Sequence, residues 1–170
     1  TMPTNIVDWV LVELRDAIDN TIVVERKAAL LMSNGNVVDE GRDGVMFNNI
    51  TENESYHIIV RHRNHLDIMS AVPVPLPNMN HYLFNDTPAY TLGGSNQIAD
   101  LGDGNYALKA GDMNGNNVIT VADFNVFVAE LAGINVYSNA DCTLDRNITV
   151  SDFNAFRPNA SAIGVSQVRY

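Results

Sequence analysis

One stretch of this chain is written twice. GDMNGNNVITVADFNVF, residues 111–127, returns as ADCTLDRNITVSDFNAF, residues 140–156, displaced by 29 positions. Aligned without a gap, the copies share Asp112 with Asp141, Ile-Thr-Val, Asp-Phe-Asn, and Phe127 with Phe156. A repeat of this kind marks a duplicated supersecondary unit that cannot bury its apolar face alone. The fold must therefore contain two copies packed on one another.

The oxygen spacing says what each copy is suited to hold. In the first, oxygen-bearing side chains fall at loop positions 1, 3, 5, 9 and 12: Asp112, Asn114, Asn116, Thr120 and Asp123. In the second they are Asp141, Thr143, Asp145, Thr149 and Asp152. A twelve-residue calcium loop takes side-chain ligands at 1, 3 and 5, a backbone carbonyl at 7, an often water-mediated ligand at 9 and a carboxylate at 12. Val118 and Asn147 supply the position-7 carbonyls. Two Ca2+ sites are expected, the first better formed than the second. Position 3 of the second loop is the neutral Thr143, and its sharp-turn position 6 is Arg146 where the first has Asn117. The alternative is a pair of Asx-turns capping two helices with no metal, but two such loops in register favour the ion. Ile119 and Ile148, at position 8, are expected to pair across the loops. Each loop then runs into a helix: Phe124, Phe127, Val128 and Leu131 recur at helical spacing, with Gly133 placed to end the first. Phe153 and Phe156 share a face of the second, and Pro158 stops it.

These residues resemble a dockerin, the paired loop-helix calcium module of secreted bacterial proteins, over residues 111–158. Asp rather than Glu at position 12, and no helix before the loop, are the dockerin-like features. Asn117 and Arg146 depart from the Gly that such loops carry at position 6. The resemblance implies docking through loop positions 10 and 11, here Val121-Ala122 and Val150-Ser151, a more apolar set than a hydroxyl pair.

Upstream, the pattern reads as β. Residues 6–14 form an almost continuous apolar run rich in β-branched residues. Short strands are expected at 21–24, 28–32, 37–38, 45–47, 55–60 and 82–84, with a hairpin turn at Ser33-Asn34-Gly35-Asn36. Residues 68–76, punctuated by prolines, suit an edge strand or extended connection. Turns every eight to twelve residues predict an antiparallel β-sandwich. The expected class is mainly β with a small α part: a β-sandwich domain over 1–92, a Gly-rich linker and lead-in strand over 93–110, and the calcium module with its tail over 111–170. The runs IVDWVLVELRDA, AALLMSNGNVVD, VRHRNHLDIMSA and ALKAGDMNGN resemble a module near the C-terminal ends of large secreted bacterial surface proteins. There a prealbumin- or immunoglobulin-like sandwich leads into a dockerin-like pair, which implies a cell-surface location and architecture more than an activity.

The net charge of −10 over 170 residues argues against nucleic acid. Five of the twenty acids lie in the two loops, so two calcium ions would bring −10 to −6. No apolar run approaches the ~18 residues of a membrane span. A single Cys142 makes no internal disulfide, and calcium can take that stapling role. His62-x-x-His65 could be imagined as a zinc pair, but nothing fixes a third ligand. The bland reading, a strand end turning a corner with its side chains bonded to backbone and acids, is preferred for RHRNHL. Trp9 is read as core rather than a sugar platform. Residues 100–105 could hold a third cation, with little weight. No nucleophile elbow, phosphate loop or Cys nucleophile is present, so the reading is non-enzymatic. The expected role is an extracellular structural subunit that self-associates, or joins another surface protein, into a fibre or layer. Its sheet edges and two short extended ends, 1–5 and 165–170, are available for that. The alternative is a recognition module for a partner protein or glycan.

Overall fold

The computed structural model describes residues 5–78 and 80–169, and the statements below concern those residues. The chain is mainly β, with antiparallel sheets and few helices. Strands β1 (Ile6–Asp16), β2 (Val23–Met32), β3 (Val37–Val38), β4 (Glu54–His62), β5 (His65–Met69) and β6 (Val74–Leu76) form one sheet. Its order is β3-β2-β1-β4-β5, with β6 pairing β4 beyond β5. A hairpin of β7 (Ile98–Asp100) and β8 (Tyr106–Leu108) follows, then helices α1 (Val121–Glu130) and α2 (Val150–Phe156).

Period-2 alternation fixes which residues face which way. Val10, Val12, Ala29, Val60 and Ile68 line one face and pack with Ile98, Tyr106 and Leu108 of the hairpin, and with Phe47 and Phe84. The strands expected at 45–47 and 82–84 are absent: both segments are irregular chain whose aromatic residues cover the sheet rather than joining it. The two strands expected at 21–24 and 28–32 are one, because all of β2 pairs β1 from Val23 to Met32. The segment read as a linker carries a 3-10 turn, Gly94–Asn96, and the β7–β8 hairpin.

The opposite face is only partly covered. Ile59 and Met69 are buried beneath Val168, Val165 and Leu92. Trp9, directly paired with Leu30, is 52% exposed on this face, beside the exposed Val7. It is therefore not core: β1 buries Asp8, Val10 and the run from Val12 to Arg15, but no apolar cluster encloses the indole at this end of the sheet.

The second apolar cluster lies around the repeats. Met113, Ile119, Phe127, Cys142, Ile148 and Phe156 are its centre, with Phe124 and Phe153 against it. The four phenylalanines contact one another at centroid separations of 5.8–6.3 Å. Burial of Phe127 and Phe156 contributes on the order of 1.5–3 kcal/mol each, and the partly buried Phe124 and Phe153 contribute less. Val128 and Leu131, expected on the same stripe, are half exposed; Val126 packs inward instead. Gly133 does not supply the left-handed stop of α1: Ala132 does, at φ 69°. Gly133 is small because a Cβ there would meet Ile148 and Val136 at 3.1 Å.

The two clusters share chain. Leu66 of β5 is wholly buried inside the repeat cluster. Beside it the Leu66 N–H donates to the Lys109 carbonyl and the Gly111 N–H to the Asn64 carbonyl, at 2.9 and 2.8 Å. The β4–β5 turn is thus the socket into which the first repeat enters.

The end expected as extended, 165–170, folds back on its own chain over residues 165–169. Ser166–Arg169 form a 3-10 turn and Val168 is fully buried. The wholly buried Arg15 donates through Nη2 to the Val168 carbonyl at 3.1 Å and through Nη1 to that of Gln167, while Arg61 also donates to Val168. Glu13, buried with them, accepts from Arg15 and Arg26. An apolar residue and two guanidinium-held carbonyls hold this segment to its own sheet. Of the other expected arm, residues 1–4 lie outside the described residues, as does Tyr170; the Asn5 carbonyl accepts the Ser33 N–H at 2.8 Å.

Candidate metal centres

The two loops share one set of bonds to the side chains at positions 1, 5 and 12. At position 1, Asp112 accepts the N–H groups of Asn116 and Asn117 at 3.0 and 2.7 Å; Asp141 accepts those of Asp145 and Arg146 at 3.1 and 2.9 Å. At position 12, Asp123 accepts Asn114 N–H at 3.1 Å and Thr120 N–H at 2.8 Å. Asp152 accepts Thr143 N–H at 3.0 Å and Thr149 N–H at 2.8 Å. At position 5, Asn116 and Asp145 each receive the N–H of position 7, at 2.9 and 2.7 Å. Thr120 and Thr149 cap α1 and α2 and complete capping boxes with the same two aspartates. That T-x-x-D pattern is legible in the sequence, and it gives position 9 a second duty.

These turns need unusual backbone. Position 4 is left-handed in both loops, Gly115 at φ 70° and Leu144 at φ 61°. Position 6 is left-handed too, Asn117 at φ 63° and Arg146 at φ 70°, as the sequence predicts for a sharp turn there. For Leu and Arg that conformation costs about 1–2 kcal/mol. The bonds to the buried carboxylate of Asp141 hold Arg146 in it.

The four carboxylates at positions 1 and 12 are nearly or wholly buried, none more than 2% exposed. Burial raises the Asp112 carboxyl above its ordinary range, and the neighbouring Asp123 adds to the shift against the N–H groups that lower it. Two enclosed carboxylates in one loop favour a positive charge between them. All candidate donors are oxygens, the set preferred by a hard cation of the calcium type. Asn114, Asn116, Thr143 and Asp145 sit at the exposed mouth, and the Thr143 hydroxyl donates to Asp152 at 2.9 Å. Among the described residues no three His, Cys, Asp or Glu side chains gather as a metal-binding group. Cys142, at position 2, points into the core, and burial pushes its thiol up to about 12.

The repeat runs further than its identical residues show. Ile119 and Ile148 both fill the shared cluster, but their backbones do not pair with each other as expected. Ile119 exchanges bonds with Ser161 and Ala162, and Ile148 with Ala132 and Gly133, at 2.8–3.1 Å. Val118 bridges Ile163, and Asn147 bridges Ile134. Position 7 of each loop therefore meets the segment that follows the other copy's helix. The pairs Ala132/Ser161, both left-handed, and Ile134/Ile163 keep the 29-residue offset, a signal present in the sequence.

The RHRNHL string is the joint to the sheet. Arg63 donates to Asp8 at 2.8 Å and to the Ser138 carbonyl, and lies 4.5 Å from the Tyr137 ring centre. Asn64, wholly buried, donates to the carbonyls of Asn139 and Asp141 at 3.0 and 2.7 Å. His62 and His65 contact through their Nδ1 atoms at 2.9 Å, and His62 Nε2 lies 3.2 Å from Asp8. Burial would raise Asp8, but hydrogen bonds from His62, Trp9 N–H, Arg63 and Tyr137 outweigh it and hold the carboxyl well below its usual range. Arg61, Arg63 and Asn64 bond as expected, to acids and to backbone carbonyls, whereas the His65 ring meets the side chains of His62 and Asn64 rather than backbone. Covering loops leave a cavity of about 1290 Å³ over the sheet, lined by Val12, Val60, Ile68, Phe47 and Phe84, with His62 and His65 in its wall. At residues 100–105 the N–H groups of Gly102 and Asn105 occupy Asp100 and Asp103. Among the described residues no helix is long and apolar enough to cross a membrane.

No family model matches the chain, and neither a curated protein nor a solved structure proves similar to it.

Proposed function

We propose that the chain is a non-enzymatic extracellular structural subunit, stapled by two calcium ions and self-associating at the cell surface into a fibre or layer. The observation that carries this reading is the matched loop pair: the same oxygens of two separate segments make the same bonds around two buried carboxylates each. Asp112, Asn114, Asn116, the Val118 carbonyl, Thr120 and Asp123 would hold one ion; Asp141, Thr143, Asp145, the Asn147 carbonyl, Thr149 and Asp152 the other. Both would be structural, fixing a dockerin-like unit against a sandwich-like body of sheet and covering hairpin. Exposed Val7 and Trp9 on the uncovered sheet face, and Val121 and Val150 at 71% and 67% exposure on the loops, offer apolar surface to another copy.

A second reading, recognition of a partner protein or a glycan, is favoured by the same exposed Trp9, whose indole is available for stacking. Light scattering and electron microscopy with calcium or chelator separate the two. Calcium-dependent multimers are expected. A strictly monomeric species at saturating calcium that a glycan array or partner pull-down captures through Trp9 would replace the assembly reading.

A further inference from the structure

We propose that Asn114 is a site of spontaneous deamidation, held in check by the cation of its own loop; this rests on the calcium reading above. Asn-Gly occurs twice, at Asn34-Gly35 and Asn114-Gly115. In both, the asparagine amide oxygen accepts the N–H two residues on, from Asn36 at 3.0 Å and Asn116 at 3.1 Å. That bond closes a turn spanning the glycine nitrogen, holds the carboxamide against the backbone there and draws electron density from its carbonyl. Gly35 and Gly115 are left-handed, at φ 85° and 70°, and a Cβ at either would meet nothing within 4 Å. Both asparagines are exposed, so water reaches them.

The chemistry needs only hydroxide and water. Gly115 N loses its proton to hydroxide and attacks Asn114 Cγ. The new N–Cγ bond forms as the bond from Cγ to the amide nitrogen breaks, and that nitrogen takes a proton from water, restoring the hydroxide, and leaves as ammonia. The cyclic imide takes up one water and opens at either carbonyl, to aspartate or isoaspartate. Aspartate would give the first loop three carboxylates with Asp112 and Asp123, matching Asp141, Asp145 and Asp152 of the second. Isoaspartate inserts an extra backbone atom between positions 3 and 4 and puts every later donor out of register. The second loop, with Thr143-Leu144 at these positions, cannot follow. One loop ages and its twin does not.

A cation held by the Asn114 oxygen draws the carboxamide away from Gly115 N and fixes the loop. Reaction then proceeds through the cation-free form, whose fraction falls about a hundredfold when calcium is at 100 times its Kd. The test incubates the full chain in mildly alkaline buffer with calcium or chelator, follows both asparagines by peptide mass mapping, and measures calcium binding by calorimetry. Asn34 should convert equally in both arms. Asn114 should convert in chelator, many-fold slower in calcium, and the separated isoaspartate form should lose one calcium. If Asn114 stays intact in chelator while Asn34 converts, the assignment falls. It falls in its calcium-guarded form if calcium binds yet both arms convert Asn114 at one rate. Equal conversion with no calcium bound at all would keep Asn114 reactive and overturn the calcium reading instead.

Discussion

The side chain of Asn64, at the β4–β5 turn, donates at 2.7 Å to the carbonyl of Asp141, the first residue of the second loop. It serves the Asn139 carbonyl as well and is wholly buried. The sheet thus fixes the point where that loop begins. Asn64→Ala would take a donor from the Asn139 carbonyl and leave the Asp141 carbonyl only the long 3.5 Å contact from Arg63, at about 1–3 kcal/mol for the buried loss. Urea unfolding should report that drop, and a larger one for Asn64→Asp, which sets a carboxylate against both carbonyls. Unchanged midpoints would remove Asn64 from the joint.

Calcium should stabilise the fold by mass action. At 100 times its Kd, one ion bound only to the folded chain adds about 2.7 kcal/mol. Thermal melts with calcium and with chelator should differ accordingly, and Asp123→Asn or Asp152→Asn should each remove part of the difference. Coincident melts would show that neither loop takes the ion.

Arg146 holds φ 70° where a glycine would rest without strain. Its exposed side chain makes no bond that Arg146→Gly would lose to the loop, since it is the backbone N–H that reaches Asp141. With about 1–2 kcal/mol of left-handed strain relieved and part returned as unfolded-chain entropy, a net gain of about 0.5–1 kcal/mol is expected. A melting temperature that falls would contradict it.

Acid should loosen the joint. Burial, then the neighbouring His62 and Arg63, lower His65 from 6.5 to about 3, against the opposing pull of Asp8. The folded chain therefore holds this ring neutral where the unfolded chain protonates it. Stability from His65 is fully present above pH 6.5 and lost as pH falls toward 3, at up to about 1.4 kcal/mol per unit for the one proton. Unfolding measured from pH 7 to 4 should slope downward, and His65→Gln should flatten it. Asp8, His62, Arg63 and Tyr137 face the same site, so part of the slope belongs to them.

The loops were the most legible part of the chain because calcium-loop spacing is local: the residues that bond at positions 1, 5 and 12 all lie within a dozen of one another. The β class was legible for the same reason, from the β-branched apolar run of β1 and the alternation along β4. Strand order was not, since nothing in residues 6–62 states that β1 pairs both β2 and β4. Trp9 misled because a side chain's neighbours across a sheet depend on what chain later covers that face. Val45–Phe47 and Tyr82–Phe84 carry strand-like composition yet serve as a lid, a role set by tertiary packing rather than local propensity. The 165–170 segment read as an extended end, because the guanidinium groups that hold Val168 lie 153 and 107 residues earlier.

The crossed bridges, Val118 to Ile163 and Asn147 to Ile134, bind each loop to the stretch that trails its sibling. Neither half can therefore be excised as a working miniature. Clipping the chain behind α2 would unseat a loop some forty positions upstream, and ordering one loop would stiffen the backbone against which the other must close. The duplicated unit is a mutual clasp, set or sprung as a whole.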